Sequence, residues 1–108
     1  MKIAFDVDDT LYRIRIRNIG GRPVQDQVPD LDLIRVLRWF HQNGDLIFVW
    51  STGGVRYAQR IVEKFGLTGL VTVIPKHDDP MNRMDLVFDD EPVNLGLVNC
   101  RVRRPDHY

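Results

Sequence analysis

The stretch KIAFDVDDTLYRIRIR (Lys2–Arg17) opens with three apolar residues, Ile3, Ala4 and Phe5, and then breaks into Asp6, Asp8, Asp9 and Thr10. A short apolar run of this kind reads as a buried strand. Carboxylates crowded at its tip repel one another, and each ionised group makes the next harder to ionise. That cost points to a role beyond structure. Downstream, Arg13, Arg15 and Arg17 alternate with Ile14 and Ile16, the period of a strand with two unlike faces. Asn18-Ile19-Gly20-Gly21 supplies a turn, and Arg22 to Val28 is a second extended piece. Together they predict a hairpin projecting from the body. Its arginine face suits a solvent-facing strand kept charged against edge pairing, with contact to substrate as the alternative.

Further along, Asp30 is placed to cap a helix whose Leu33, Val36, Leu37 and Phe40 form one apolar face, ended by Gly44. The run 45–50, DLIFVW, is almost continuously apolar, as in a strand covered on both sides. Residues 51–54, STGG, lead into a second helix over about 55–65. Its Ala58, Ile61, Val62 and Phe65 repeat the helical spacing, and Gly66 closes it. Residues 70–74 predict a third strand ended by Pro75; 76–84 a polar loop or short helix; 85–88 a fourth strand; 96–100 a fifth; and the last residues a polar tail. Strands alternating with helices imply one domain over 1–108, an α/β fold with a parallel sheet and helices on both faces.

In a parallel sheet the C-terminal ends of the strands share one edge, where open α/β sheets bind ligands. The residues following each strand are Asp6, then Ser51-Thr52-Gly53, then Lys76, then Asp89-Asp90. Carboxylates from two strands suit Mg²⁺, which takes oxygen ligands and shares them with a substrate phosphate. A hydroxyl and an ammonium suit the phosphate oxygens, and backbone N–H groups at the start of a helix make an anion site. A turn after Asp6 would set Asp6 and Asp8 on two sides of a phosphorus atom, dividing nucleophilic from acid–base work.

Asp6-Val7-Asp8-Asp9-Thr10 resembles the D-x-D-x-T signature of the haloacid dehalogenase-like hydrolase superfamily. Ser51 or Thr52, then Lys76, then Asp89-Asp90 follow in that family's order. The resemblance implies a Rossmann-like sheet of order 5-4-1-2-3 flanked by helices, with a hairpin flap after strand one. It implies a phosphate-monoester hydrolase acting through an aspartyl-phosphate on Asp6. Asp8 would be the general acid and base, and its backbone carbonyl a metal ligand. Ser51 would hold the phosphoryl group, with Thr52 as the other choice and Gly53 beside it; Lys76 would pair with the phosphoryl group and Asp6. Asp6, Asp8, Asp89 and Asp90 would hold Mg²⁺. Many relatives carry a further acid a few positions after the fourth motif; here Pro92, Val93 and Asn94 follow, so Asp89 and Asp90 would suffice, with Glu91 or Asn94 around them. The intervals between motifs leave no room for a cap domain, so the open site suits a phosphorylated macromolecule, a polynucleotide end or a phosphoprotein, or a lid lent by a second subunit of a homo-oligomer. Small phosphorylated metabolites and nucleotides are the other substrates this implies. The competing readings are a phosphate- and Mg²⁺-binding module without turnover and a receiver-like phospho-aspartate domain. The latter would carry its lysine after a later strand than Lys76.

The remaining features are plainer. Formal net charge is zero, from 15 basic and 15 acidic residues, so no overall field favours nucleic acid or membrane. Cys100 is the lone cysteine, which excludes an intramolecular disulfide and reads as a small buried residue. No run reaches transmembrane length, and Asp6 interrupts the first apolar run too early for a secretory signal; cytoplasmic residence is the default expectation. Trp39, Trp50, Phe40, Phe48 and Phe65 read as core, His41 as a cation at a helix C-terminus, and His77 and His107 as residues without an evident partner. Ser51 or Thr52 also suits the N-cap of the second helix.

Overall fold

The computed structural model describes residues 1–102. The polar tail expected for the last residues, with Arg103, Arg104 and His107, lies outside the described residues.

Strand β1 (Lys2–Asp6) ends in an irregular turn, Val7–Leu11. The hairpin strands β2 (Tyr12–Ile19) and β3 (Arg22–Pro29) follow, then helix α1 (Leu31–Gln42), β4 (Leu46–Trp50), helix α2 (Val55–Lys64), β5 (Thr72–Val73), a 3-10 turn at Pro80–Asn82, β6 (Met84–Asp89) and β7 (Gly96–Arg101). Five strands form a parallel sheet in the order β5-β4-β1-β6-β7, while β2 and β3 form a separate antiparallel pair.

The central strand is the apolar run the chain begins with. Ile3 and Phe5 point to one face of the sheet and Ala4 to the other, as strand alternation requires. Phe5 stacks on Phe88 of β6 with ring centroids 4.7 Å apart. On this face Ile34 and Leu37 of α1 and Ala58, Ile61 and Val62 of α2 close the main core over Ile3, Phe5, Ile47 and Val49. Both helices therefore lie on one side of the sheet, and the expectation of helices on both faces is corrected. Two successive crossovers, β1 to β4 and β4 to β5, step in the same direction, so a fixed right-handed connection puts both helices on one side. The return connections 74–83 and 90–95 hold no α-helix. The opposite face has a smaller core of Ala4, Trp50, Met84 and Val87, covered by Phe48, Ile74, Val93 and Leu95.

Asp30 caps α1 as expected, its Oδ1 accepting from the Leu33 amide at 3.0 Å. The third strand is shorter than 70–74: Gly69 takes a positive φ of 85° and Leu70 closes a turn onto Leu67, so pairing with β4 is left to Thr72 and Val73. Trp50 is fully buried, whereas Trp39 is 58% exposed and stands edge-on to Phe40. Val36 is also exposed, and Cys100 is only partly buried. The hairpin runs from a base at Leu11 and Asp30, joined by a 2.8 Å backbone bond, to an exposed tip at Gly20-Gly21. On its arginine face, Arg15 and Arg17 both pair with Asp26. The projection gives the molecule extents of 51 × 28 × 24 Å. No helix among the described residues is long and apolar enough to cross a membrane.

Candidate active site

Parallel register builds the site. β1 lies between β4 and β6, with Asp6 opposite Trp50 and Phe5 opposite Phe88. The next residues, Ser51 and Asp89, therefore meet Asp6 at one edge, on strands spaced about 4.8 Å apart. Asp6, Asp89 and Asp90 each offer a carboxylate oxygen, and these atoms all lie within 4.8 Å of one another. Asp6 and Asp89 are buried. Lys76 reaches them from the loop after β5: its Nζ donates to Asp6 Oδ1 at 3.2 Å and to Asp89 Oδ2 at 2.7 Å. That loop lies over the helix-free face, where Ile74 packs on the smaller core and His77 stands edge-on to Trp50 with ring centroids 5.3 Å apart. Asp89 Oδ1 accepts from the Glu91 amide.

The electrostatics follow from burial. Asp6 is raised from 3.8 to about 7, first by loss of water and then by the charge of Asp89, against the pull of Lys76. Burial also raises Asp90. Lys76 is lowered by burial, but its hydrogen bond to Asp89 and the charges of Asp6 and Asp89 outweigh this and raise it overall. One ammonium thus faces three carboxyl groups. The surplus of acid, all of it oxygen ligands on two adjacent strand ends, fits a hard divalent cation.

Asp8 belongs to a different neighbourhood. The irregular turn after β1 redirects it although its own backbone stays extended, at φ −67° and ψ 126°, and Asp9 beside it takes a left-handed φ of 57°, a conformation aspartate tolerates better than most residues. The Asp8 carboxyl is not part of the group formed by Asp6, Asp89 and Asp90. Its Oδ1 accepts from the Tyr57 hydroxyl at 2.5 Å and from the Tyr12 hydroxyl at 2.6 Å. Tyr12 belongs to the main core and Tyr57 packs against it, so Asp8 is held on the helix side of the β1 tip and Asp6 faces the loop side. Gln27 Nε2 donates to the Tyr57 hydroxyl at 3.4 Å, and Lys64 Nζ donates to Gln27 Oε1 at 3.2 Å. Burial and the bond to Asp8 raise both phenols, so they stay protonated donors at neutral pH.

Ser51 is buried and Thr52 exposed. The Ser51 hydroxyl accepts from the Gly53 amide at 3.0 Å, and the Gly54 amide donates to the Ser51 carbonyl. Neither Ser51 nor Thr52 caps α2; Gly54, at φ 99°, holds that position without a side chain. Gly53 is required for space: a Cβ there would lie 2.9 Å from Tyr57 Cδ2. Asn94 is engaged elsewhere, accepting from Arg83 Nη2 at 2.5 Å. Tyr12, Tyr57 and Gln27 were not legible as site residues. Tyr57 falls beside Ala58 on the apolar face of α2, where an aromatic ring reads as core. No protein-family model matches this chain, and no curated protein matches its sequence.

Proposed function

We propose that the protein is a Mg²⁺-dependent phosphate-monoester hydrolase that works through an aspartyl-phosphate on Asp6. The observation that carries this reading is the Asp6–Lys76–Asp89 ion-paired group at the C-terminal sheet edge, with Asp90 beside it and Asp8 across the β1 tip. The strand order, the flap-like hairpin and the motif order that resembles the haloacid dehalogenase-like hydrolases support it further.

Asp6 is the nucleophile. Lys76 neutralises its charge, steers its Oδ1 and offers donors to an incoming phosphoryl group. Asp6, Asp89 and Asp90 would hold the cation, whose charge offsets theirs and withdraws electron density from the phosphoryl oxygens. Ser51, whose hydroxyl oxygen accepts from the Gly53 amide, would give its own hydroxyl proton to a phosphoryl oxygen. Asp8 gives its proton to the leaving oxygen in the first half-reaction and takes one from water in the second. The uncovered edge suits a phosphate carried on a macromolecule, a polynucleotide end or a phosphoprotein.

The test compares wild type with Asp6→Asn on p-nitrophenyl phosphate and on β-glycerophosphate, with Mg²⁺ and with EDTA. Hydrolysis by wild type in Mg²⁺, lost with EDTA and reduced about a thousandfold or more in the variant, is the expected result. Equal rates for the two proteins would remove Asp6 from the chemistry and leave a binding module.

A further inference from the structure

Two tyrosines converge on one oxygen of Asp8, an arrangement that acid–base chemistry alone does not require. Resting on the phosphatase reading, we infer that Tyr57 and Tyr12 are positioning residues for Asp8, holding Oδ1 so that Oδ2 alone exchanges the proton.

Each phenol has a single proton and lies within hydrogen-bond distance of Asp8 Oδ1, at 2.5 Å for Tyr57 and 2.6 Å for Tyr12, and the two hydroxyls are themselves 2.9 Å apart, where either can donate to the other. An oxygen accepting two such bonds has no lone pair left for a proton. With both phenols donating to Oδ1, as they can whether the acid is protonated or ionised, the proton is confined to Oδ2. Asp8 sits on an irregular turn with non-helical backbone, where its side-chain torsions would otherwise be free; two bonds to one atom fix them.

The tyrosines are themselves held. The Tyr12 ring stands edge-on to Phe65, centroids 6.4 Å apart. The Tyr57 ring lies against the Gly53 backbone so closely that only glycine fits. Gln27 of the hairpin donates to the Tyr57 hydroxyl and is in turn tied to Lys64. The seat of the hairpin is thereby linked through hydrogen bonds to the group that moves the proton.

In the first half-reaction an Asp6 oxygen bonds phosphorus, the ester P–O bond breaks with its electron pair, and the Oδ2 proton passes to the leaving oxygen. In the second, a water oxygen bonds phosphorus, the bond to Asp6 breaks to restore its carboxylate, and a water proton returns to Oδ2. The sum is ester plus water giving alcohol plus phosphate. The tyrosines give up no proton.

An alkoxide leaving group needs that proton, and p-nitrophenolate does not. The experiment therefore measures kcat/KM of Tyr57→Phe, Tyr12→Phe and the double variant on β-glycerophosphate and on p-nitrophenyl phosphate. Because general acid catalysis contributes about 10²–10⁴-fold, the loss on the alkyl ester should exceed the loss on the aryl ester by about tenfold or more, in kcat rather than KM. The ratio is taken within one preparation, so a fraction of unfolded protein cancels. A ratio equal to that of wild type overturns the inference. Asp8→Asn in parallel separates the two levels. If it shows the leaving-group dependence and the tyrosine variants do not, only the positioning role fails. If neither Asp6→Asn nor Asp8→Asn alters either rate, the phosphatase reading itself fails.

Discussion

At the scale of single residues, Asp6 decides how the site responds to pH. Burial and Asp89 raise it from 3.8 to about 7. Between those values the folded chain keeps a proton that the unfolded chain has released. Stability from this group therefore falls as pH rises through that window and levels off above it. Without a divalent cation, the Tm of wild type should drop relative to Asp6→Asn between about pH 4 and 7, and Mg²⁺ should flatten the slope; parallel melting profiles would contradict this. Lys76 has the complementary role. Replacing it with Met leaves Asp6 and Asp89 facing each other, and removing one partner of a buried ion pair costs about 3 kcal/mol. Denaturant unfolding at pH 7 checks this, and the loss should shrink in Mg²⁺. These residues were legible because each directly follows an apolar run, and parallel pairing brings such positions together. Asp8 was legible as a carboxylate at the β1 tip but not as a tyrosine-held group, because the turn geometry that redirects it has no sequence pattern.

At the scale of elements, local rules placed most of the pieces. Asp30 before an apolar helical face announced α1, and Asp30→Ala should cost about 1 kcal/mol by freeing the Leu33 amide, measured as a shift in the urea midpoint. The turn between β4 and α2 was harder. STGG offers two hydroxyls that usually cap helices, yet the chain uses Gly54 at a left-handed φ and spends the Ser51 hydroxyl on Gly53. Gly53→Ala should destabilise the protein by about 1–3 kcal/mol and, by displacing Tyr57, depress turnover of an alkyl ester beyond what the Tm shift accounts for. A fully active, equally stable Gly53→Ala protein would show that Tyr57 has room to move. Trp39, read as core, lies on the side of α1 away from Leu33, Ile34, Leu37 and Phe40, and so it is exposed.

At the scale of the whole molecule, strand–helix alternation told the class of fold but not which side each helix takes. That follows from the direction of successive crossovers and from return connections that hold no α-helix. The consequence is one main core and one thin one. Phe5, fully buried in the main core and stacked on Phe88, should cost about 3–5 kcal/mol when replaced by Ala, much of the stability of a domain this size. Calorimetry measures it. The hairpin has the opposite character, since its far end from Asn18 to Arg22 is exposed and touches no core. A chain opened between Gly20 and Gly21 would lose no packed contact, while eight cross-strand residue pairs along β2 and β3 would splint the cut ends. Separately produced fragments 1–20 and 21–108 are thus suited to complementation, with the short one donating the central strand and Asp6 in trans to Lys76 and Asp89.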